Sequence, residues 1–252
     1  PTTPGCVVGV ARSGATLLTK AYGMANLEYE VPLTPESISE SGSVAKQFTA
    51  AAIVVLAQDG KLSLDDDIRK YLPEVPDFGA TITIRHLLNH TSGLRDQWGL
   101  LSLAGSPPGS AVHTVELILD LVSRQKDLNF RPGDEFLYSN TGYTLLGVIV
   151  KRVSGKSFAE FTGQRLFQPI GMTQTQWRDD FARTVKGRAT AYSGTGEGPF
   201  RSDMPFTMVH GNGGLLTTVG DLLLWNSYLD GNRQLSEALQ TQGRLNRGRT
   251  IS

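Results

Sequence analysis

The sequence holds a single cysteine, Cys6, so no disulfide within the chain can staple it. It has no excess of either charge: 24 Lys and Arg face 24 Asp and Glu, and the formal net charge is zero. That balance leaves no electrostatic footprint for nucleic acid or an anionic membrane surface, and no nucleic-acid partner is expected. Long apolar runs are missing as well. The longest, Ala50 to Ala57, falls far short of the roughly 20 residues of a membrane-spanning helix, so no membrane span is expected. The chain opens at Pro1 with no charged-then-apolar leader, and any export signal is read as removed ahead of it.

Several catalytic patterns are absent too. No Gly-x-Ser-x-Gly elbow occurs, which argues against an ordinary α/β-hydrolase. Gly211-Asn212-Gly213-Gly214 lacks the Lys and Ser/Thr of a phosphate loop and reads as a turn. His86 and His90 have the spacing of a metal pair, but no Glu follows His86, so each is assigned a helix-end role. Asp65-Asp66-Asp67 lacks the spaced ligands of a calcium loop and marks a helix start. No metal and no cofactor is expected.

What remains is a loop-rich globule of 252 residues, with 39% apolar residues, 19% charged residues, 28 glycines and 12 prolines. A chain of this length hides roughly 70 to 75% of its unfolded surface, enough for a core without staples, as one large domain or two interleaved ones. Cys6 to Val10 and Thr16 to Tyr22 flank Arg12-Ser13-Gly14 and predict a β-hairpin; hardly another strand is convincing downstream. A hairpin alone is marginal. Its missing partners are expected beyond Ser252, where Arg249-Thr250-Ile251 reads as the start of a strand.

Helix signals fill the rest. Val44 to Gln58 has no charge after Lys46 and no polar face over Ala50 to Ala57, so it predicts a buried helix stopped by Asp59-Gly60. Thr83 caps a short helix over Ile84 to Asn89, Thr114 to Arg124 forms another, and Gly142 to Val153 a third closed by Ser154-Gly155. Ser157 and Glu160 make a capping box for a helix that Pro169 prevents from continuing. Thr218 and Asp221 start a last one from about Val219 to Leu229, with Asp230-Gly231 as its stop.

Ser43-Val44-Ala45-Lys46 sets a hydroxyl at the mouth of the buried helix and an amine three residues later, on a neighbouring part of one face. Burial disfavours a charged lysine and lowers its pKa toward that of a proton acceptor, so nucleophile and base sit together. The helix start adds partial positive charge that favours an alkoxide or oxyanion there. Alone, the pattern equally describes a capping serine and a surface lysine; the apolar surroundings favour the chemical reading. Tyr138-Ser139-Asn140 offers a phenol and a carboxamide, though by itself it reads more readily as a turn with Asn140 capping the next helix.

Together, Ser43-Val44-Ala45-Lys46 and Tyr138-Ser139-Asn140 resemble the first two signatures of the penicillin-recognising serine hydrolases, in the branch of class C β-lactamases, DD-peptidases, D-aminopeptidases and β-lactamase-like esterases. Gly42 to Gly60, Leu62 to Asp66, Lys70 to Pro73, Thr83 to Leu94 and Gly213-Gly214-Leu215 with Asp221-Leu222 are similar as well. The resemblance implies an acyl-enzyme on Ser43, with proton handling by Lys46 and Tyr138 and with Asn140 holding Lys46 and a substrate amide or ester. A phenol serving as base near neutrality would need the positive field of Lys46, so which of the two takes the proton stays open. The family's third signature, Lys or His, a small residue and Gly, is not found before Ser252; His210-Gly211 precedes Gly213-Gly214 and so lies on the wrong side of that landmark.

The fold implied is α+β and β-lactamase/transpeptidase-like, an α/β sandwich part plus a mainly helical part, with C-terminal sheet strands expected outside this chain. The expected organisation is 1–75 for the hairpin and nucleophile helix, 76–195 for the helical part with the Tyr138 loop, and 196–252 for a return segment. The implied partner is a small-molecule or peptide substrate: a β-lactam, a D-amino-acid peptide or a small acyl ester. A periplasmic or secreted location follows from resemblance alone. The contrasting reading is a relative that is acylated without turnover, a sensor or scaffold.

Overall fold

The apolar stretch after Ser43 becomes the axis of the fold. In the computed structural model, which describes residues 2–194, 199–204, 206–240 and 245, a 3₁₀ turn over Gly42–Ala45 runs into helix α1, Lys46–Gln58. Ala45, Phe48, Ala51, Ala52 and Ile53 are fully buried, and the small alanine side chains let neighbouring helices approach closely. Gly60, at φ 67°, takes the left-handed conformation that ends the helix.

Around this axis run α2 (Ile84–Leu88), α3 (Gln97–Leu103), α4 (Val115–Ser123), α5 (Asn140–Ser154), α6 (Phe158–Thr162), α7 (Gln168–Ile170), α8 (Val219–Gly231) and α9 (Arg233–Gln240). Thr83, Thr114, Ser157 and Thr218 each accept a backbone N–H at a helix start, as their positions predicted. α1 packs on α5, and the fully buried Phe48 lies 4.6 Å from the Trp225 ring of α8. Burying a side chain such as Phe48 contributes about 1.5–3 kcal/mol, so this contact ties α8 to the axis.

The hairpin forms as β1 (Cys6–Arg12) and β2 (Ala15–Tyr22), with Ser13 and Gly14 both at positive φ in the turn. Its packing partner is α8: Gly9 lies against Val219 and Leu223 so closely that a Cβ there would come within 2.6 Å of Val219. Contrary to expectation, seven further strands follow among the described residues: β3 (Met24–Asn26), β4 (Val31–Pro32), β5 (Ser39–Glu40), β6 (Gln176–Trp177), β7 (Tyr192–Ser193), β8 (Arg201–Ser202) and β9 (Leu215–Thr217). Two or three residues cannot show a period-2 pattern, which is why they leave no sequence signal. β5, β9 and β6 form one antiparallel sheet in that order, and Ser41 N–H donates to Leu215 O at 2.9 Å. This sheet holds the turn carrying Ser43. Arg249-Thr250-Ile251, read as a strand start, lies outside the described residues.

Three helix ends differ from expectation. Pro169 does not stop the chain's winding: a wide π turn over Gly163–Phe167 leads into α7, with Pro169 in its first turn, where a missing N–H costs nothing, and Gly171 at φ 83° ends it. α8 passes through Asp230 and Gly231, and Asn232 then caps α9 by accepting Leu235 N–H at 3.1 Å. α5 begins at Asn140 rather than Gly142, and Asn140 does not cap it.

Candidate active site

Ser43 sits in the 3₁₀ turn and Lys46 one step inside α1, a spacing that brings Lys46 Nζ to 3.1 Å from Ser43 Oγ. Although a lysine, Lys46 is only 7% exposed. Its ammonium also donates to Asn140 Oδ1 at 2.9 Å and to the backbone oxygen of Asn212 at 2.5 Å, so all three donors of the charged form are used. It lies 4.7 Å from the centre of the Tyr138 ring and 5.6 Å from that of Tyr143. Burial lowers the Lys46 pKa, while the Tyr138 phenol and the Asp96 carboxylate act in the opposite direction.

Tyr138 reaches Ser43 from the other side, its hydroxyl donating to Ser43 Oγ at 2.6 Å. Ser43 Oγ thus lies between an amine and a phenol, and either of these hydrogen bonds, run in the reverse sense, is a path for the serine proton. The four residues singled out in the sequence, Ser43, Lys46, Tyr138 and Asn140, come together.

Asp96 is a participant the sequence reading missed. It caps α3 through Trp98 N–H, and its Oδ2 accepts both the backbone N–H of Asn140 at 2.6 Å and the Asn140 side-chain amide at 2.9 Å. With its NH₂ held there, the Asn140 carboxamide can only present oxygen to Lys46. Asn212 was also missed because it acts through its backbone oxygen, which no residue type announces. The neighbouring carbonyl, Gly211 O, accepts Thr49 Oγ1 at 2.7 Å, so consecutive carbonyls fasten this segment to α1.

His86 and His90 do stand at helix ends, as expected. His86 Nδ1 accepts Thr83 N–H in a capping box, and His90, beyond the end of α2, accepts Ser139 N–H at 3.1 Å. Burial first, then the charge of Lys46, pushes the His90 pKa down to about 4. Among the described residues, no group of three or more His, Cys, Asp or Glu is placed to hold a metal, and no helix is long and apolar enough to cross a membrane.

A cleft of about 310 Å³ opens at Ser43, walled by Trp98, Pro108, His113 and the Gly213-Gly214 turn. At its base Arg178, 3% exposed, makes two hydrogen bonds to the Glu40 carboxylate, at 2.7 and 3.2 Å, and one to Thr207 O. That guanidinium is committed to structure. His210 lines a different cavity, of about 240 Å³, with Thr144 and Lys151; its ring stacks on Phe158 and its Nδ1 faces Met208 O. It therefore plays no part beside Ser43.

Comparison with known proteins places the chain in a family. Residues 1–251 match the family model described as Beta-lactamase. Penicillin-binding protein 4* of Bacillus subtilis is 37% identical over 166 residues, 66% of this chain and 36% of that protein. A D-aminopeptidase of Brucella anthropi is 31% identical over 233 residues, 91% of this chain and 43% of that protein. The chain thus spans less than half the length of these curated relatives. Among solved structures, the octameric penicillin-binding protein homologue from Pyrococcus abyssi superposes with a TM-score of 0.83 at 30% identity, over 94% of this chain and 55% of that one.

Proposed function

Because the chain belongs to the Beta-lactamase family, with its β-lactamase/transpeptidase-like α+β fold, we propose that it is a serine hydrolase that cleaves an amide or ester through an acyl-enzyme on Ser43. The observation that carries this reading is a lysine buried from water with its Nζ 3.1 Å from Ser43 Oγ, while the Tyr138 hydroxyl contacts the same oxygen at 2.6 Å.

In the proposed reaction Ser43 Oγ attacks the carbonyl carbon as its proton passes into the Lys46–Tyr138 pair. The carbonyl electrons move onto oxygen, favoured by the partial positive charge at the start of the helical segment that opens with Gly42. When the tetrahedral species collapses, the bond to the leaving amine or alcohol breaks and the pair returns the proton to that group. Water then attacks the Ser43 ester, gives its proton to the pair, and releases the acid with the Ser43 hydroxyl restored. Burial disfavours the charged form of Lys46, which supports it as the acceptor, and Asn140 supports it as the group that keeps the amine aimed.

The substrate classes that the relatives' names bring are a D-amino-acid peptide and a penicillin; a small acyl ester joins them from the sequence resemblance. The test mixes the protein with a chromogenic short-chain ester, a D-alanyl anilide and a penicillin, following product release and intact mass. Product release with a transient adduct, both lost in Ser43→Ala, supports the hydrolase. A lasting adduct on Ser43 without release supports the sensor reading. Product release that survives in Ser43→Ala overturns both.

A further inference from the structure

His90 follows the end of α2 with φ at 56°, a left-handed backbone that a residue other than glycine holds only where its surroundings fix it. What surrounds it is the Tyr138 loop. Its backbone oxygen accepts Leu137 N–H at 3.0 Å and its Nδ1 accepts Ser139 N–H at 3.1 Å, so it binds the chain on both sides of Tyr138. Its ring lies on Tyr138 itself, with centroids 4.5 Å apart at 33°, and on Tyr143 at 5.1 Å. The residues around it extend the grip: Leu88 O accepts the Tyr143 hydroxyl, Arg95 O accepts Thr141 Oγ1, and Asp96 takes Asn140.

Nδ1 can accept a hydrogen bond only while it carries a lone pair, so the ring proton belongs on Nε2. An imidazolium would turn a second N–H against that of Ser139. The charged and titratable groups facing the ring are Lys46 from α1, Asp96 ahead of α3, and the phenols of Tyr138 and Tyr143. Burial and the Lys46 charge together outweigh the pull of Asp96 and keep the ring neutral.

We infer that His90 is the positioning residue of the site, holding the Tyr138 phenol on Ser43 by ring contact and by the backbone on either side, and that it does so only as a neutral imidazole. The inference rests on the acyl-transfer reading above.

The test uses His90→Asn, since asparagine tolerates a left-handed backbone but brings no ring. With the chromogenic ester, kcat/KM is expected to fall by about a hundredfold, through kcat rather than KM, as for a misplaced reacting group. In a Tyr138→Phe background the same substitution is expected to cost little more, because His90 acts through that phenol. A full second loss there overturns the inference. Nitrogen NMR of the parent protein, which needs no variant to fold, is expected to show His90 neutral with its proton on Nε2 down to about pH 5; an imidazolium at about pH 6 overturns it. Turnover that is lost in Ser43→Ala but unchanged in His90→Asn overturns the inference alone. Turnover that survives Ser43→Ala overturns it together with the acyl-enzyme reading.

Discussion

One carboxylate oxygen of Asp96 accepts both N–H groups that Asn140 offers it, the backbone at 2.6 Å and the side-chain amide at 2.9 Å. The consequence reaches Lys46, because an Asn140 held this way can turn only its oxygen toward the ammonium. Asp96 also acts on Lys46 through space, its negative charge favouring the protonated amine.

Asp96→Asn is therefore expected to move the pH–rate profile as well as lower it. In the proposed reaction the rate is expected to rise with pH as Lys46 loses its proton. Removing the Asp96 charge lowers the Lys46 pKa further, so the rise shifts to lower pH. Measuring kcat/KM against pH for parent and variant checks this, and a shift to higher pH would contradict the coupling.

Lys46→Ala is expected to lower acylation by about a hundred- to ten-thousandfold, the range of a lost general base, while the far-UV spectrum stays that of the parent. Ser43→Ala is expected to abolish the covalent adduct in intact-mass spectra. If Lys46→Ala acylates at the parent rate, the amine is not the base.

Glu40→Ala is expected to destabilise the protein by about 3 kcal/mol or more, because it strands the buried Arg178 guanidinium without its partner. Arg188, 3.8 Å from the same carboxylate, would then face Arg178 unscreened. For a chain of this size the melting temperature should fall by roughly 6 °C or more, which calorimetry would detect.

Gly211→Ala is expected to cost about 1–3 kcal/mol and to reduce turnover. Gly211 has φ 92°, and a Cβ there would come within 2.8 Å of Tyr143 O. Relief moves the two carbonyls that hold Thr49 and Lys46, so activity should drop further than a melting curve alone would suggest.

Acid sensitivity follows from His90. Its pKa is about 4 when folded against an ordinary value near 6.5, so its contribution to stability is complete above about pH 6.5 and is lost as pH falls toward 4. Burial depresses His86 and His210 in the same direction. Melting temperature against pH should therefore fall across that window in the parent and less steeply in His90→Asn.

Much of this was legible in the chain. Thr83, Thr114, Ser157 and Thr218 mark helix starts because a hydroxyl accepting an N–H is a local event, and Ala50 to Ala57 declares its burial by carrying no polar face. α3 was not legible: it is short, contains Gly99, and its capping residue Asp96 resembles any loop aspartate. The short strands and the ends of α6 and α8 depend on tertiary pairing that neighbours in sequence do not encode. In the site, Ser43 in the turn before α1 and Lys46 at the start of α1 lie three residues apart and announce each other, whereas Asp96, His90 and Asn212 contribute through contacts with distant stretches, each involving a backbone atom.

The carbonyl of Asn212 that steadies Lys46 belongs to a stretch of chain made long after the lysine itself. During synthesis the turn carrying Ser43 can emerge and α1 can wind up, yet the amine has no complete set of acceptors until the later segment docks. Two residues 166 positions apart must therefore both be in place before the hydrogen-bond set around the amine is complete.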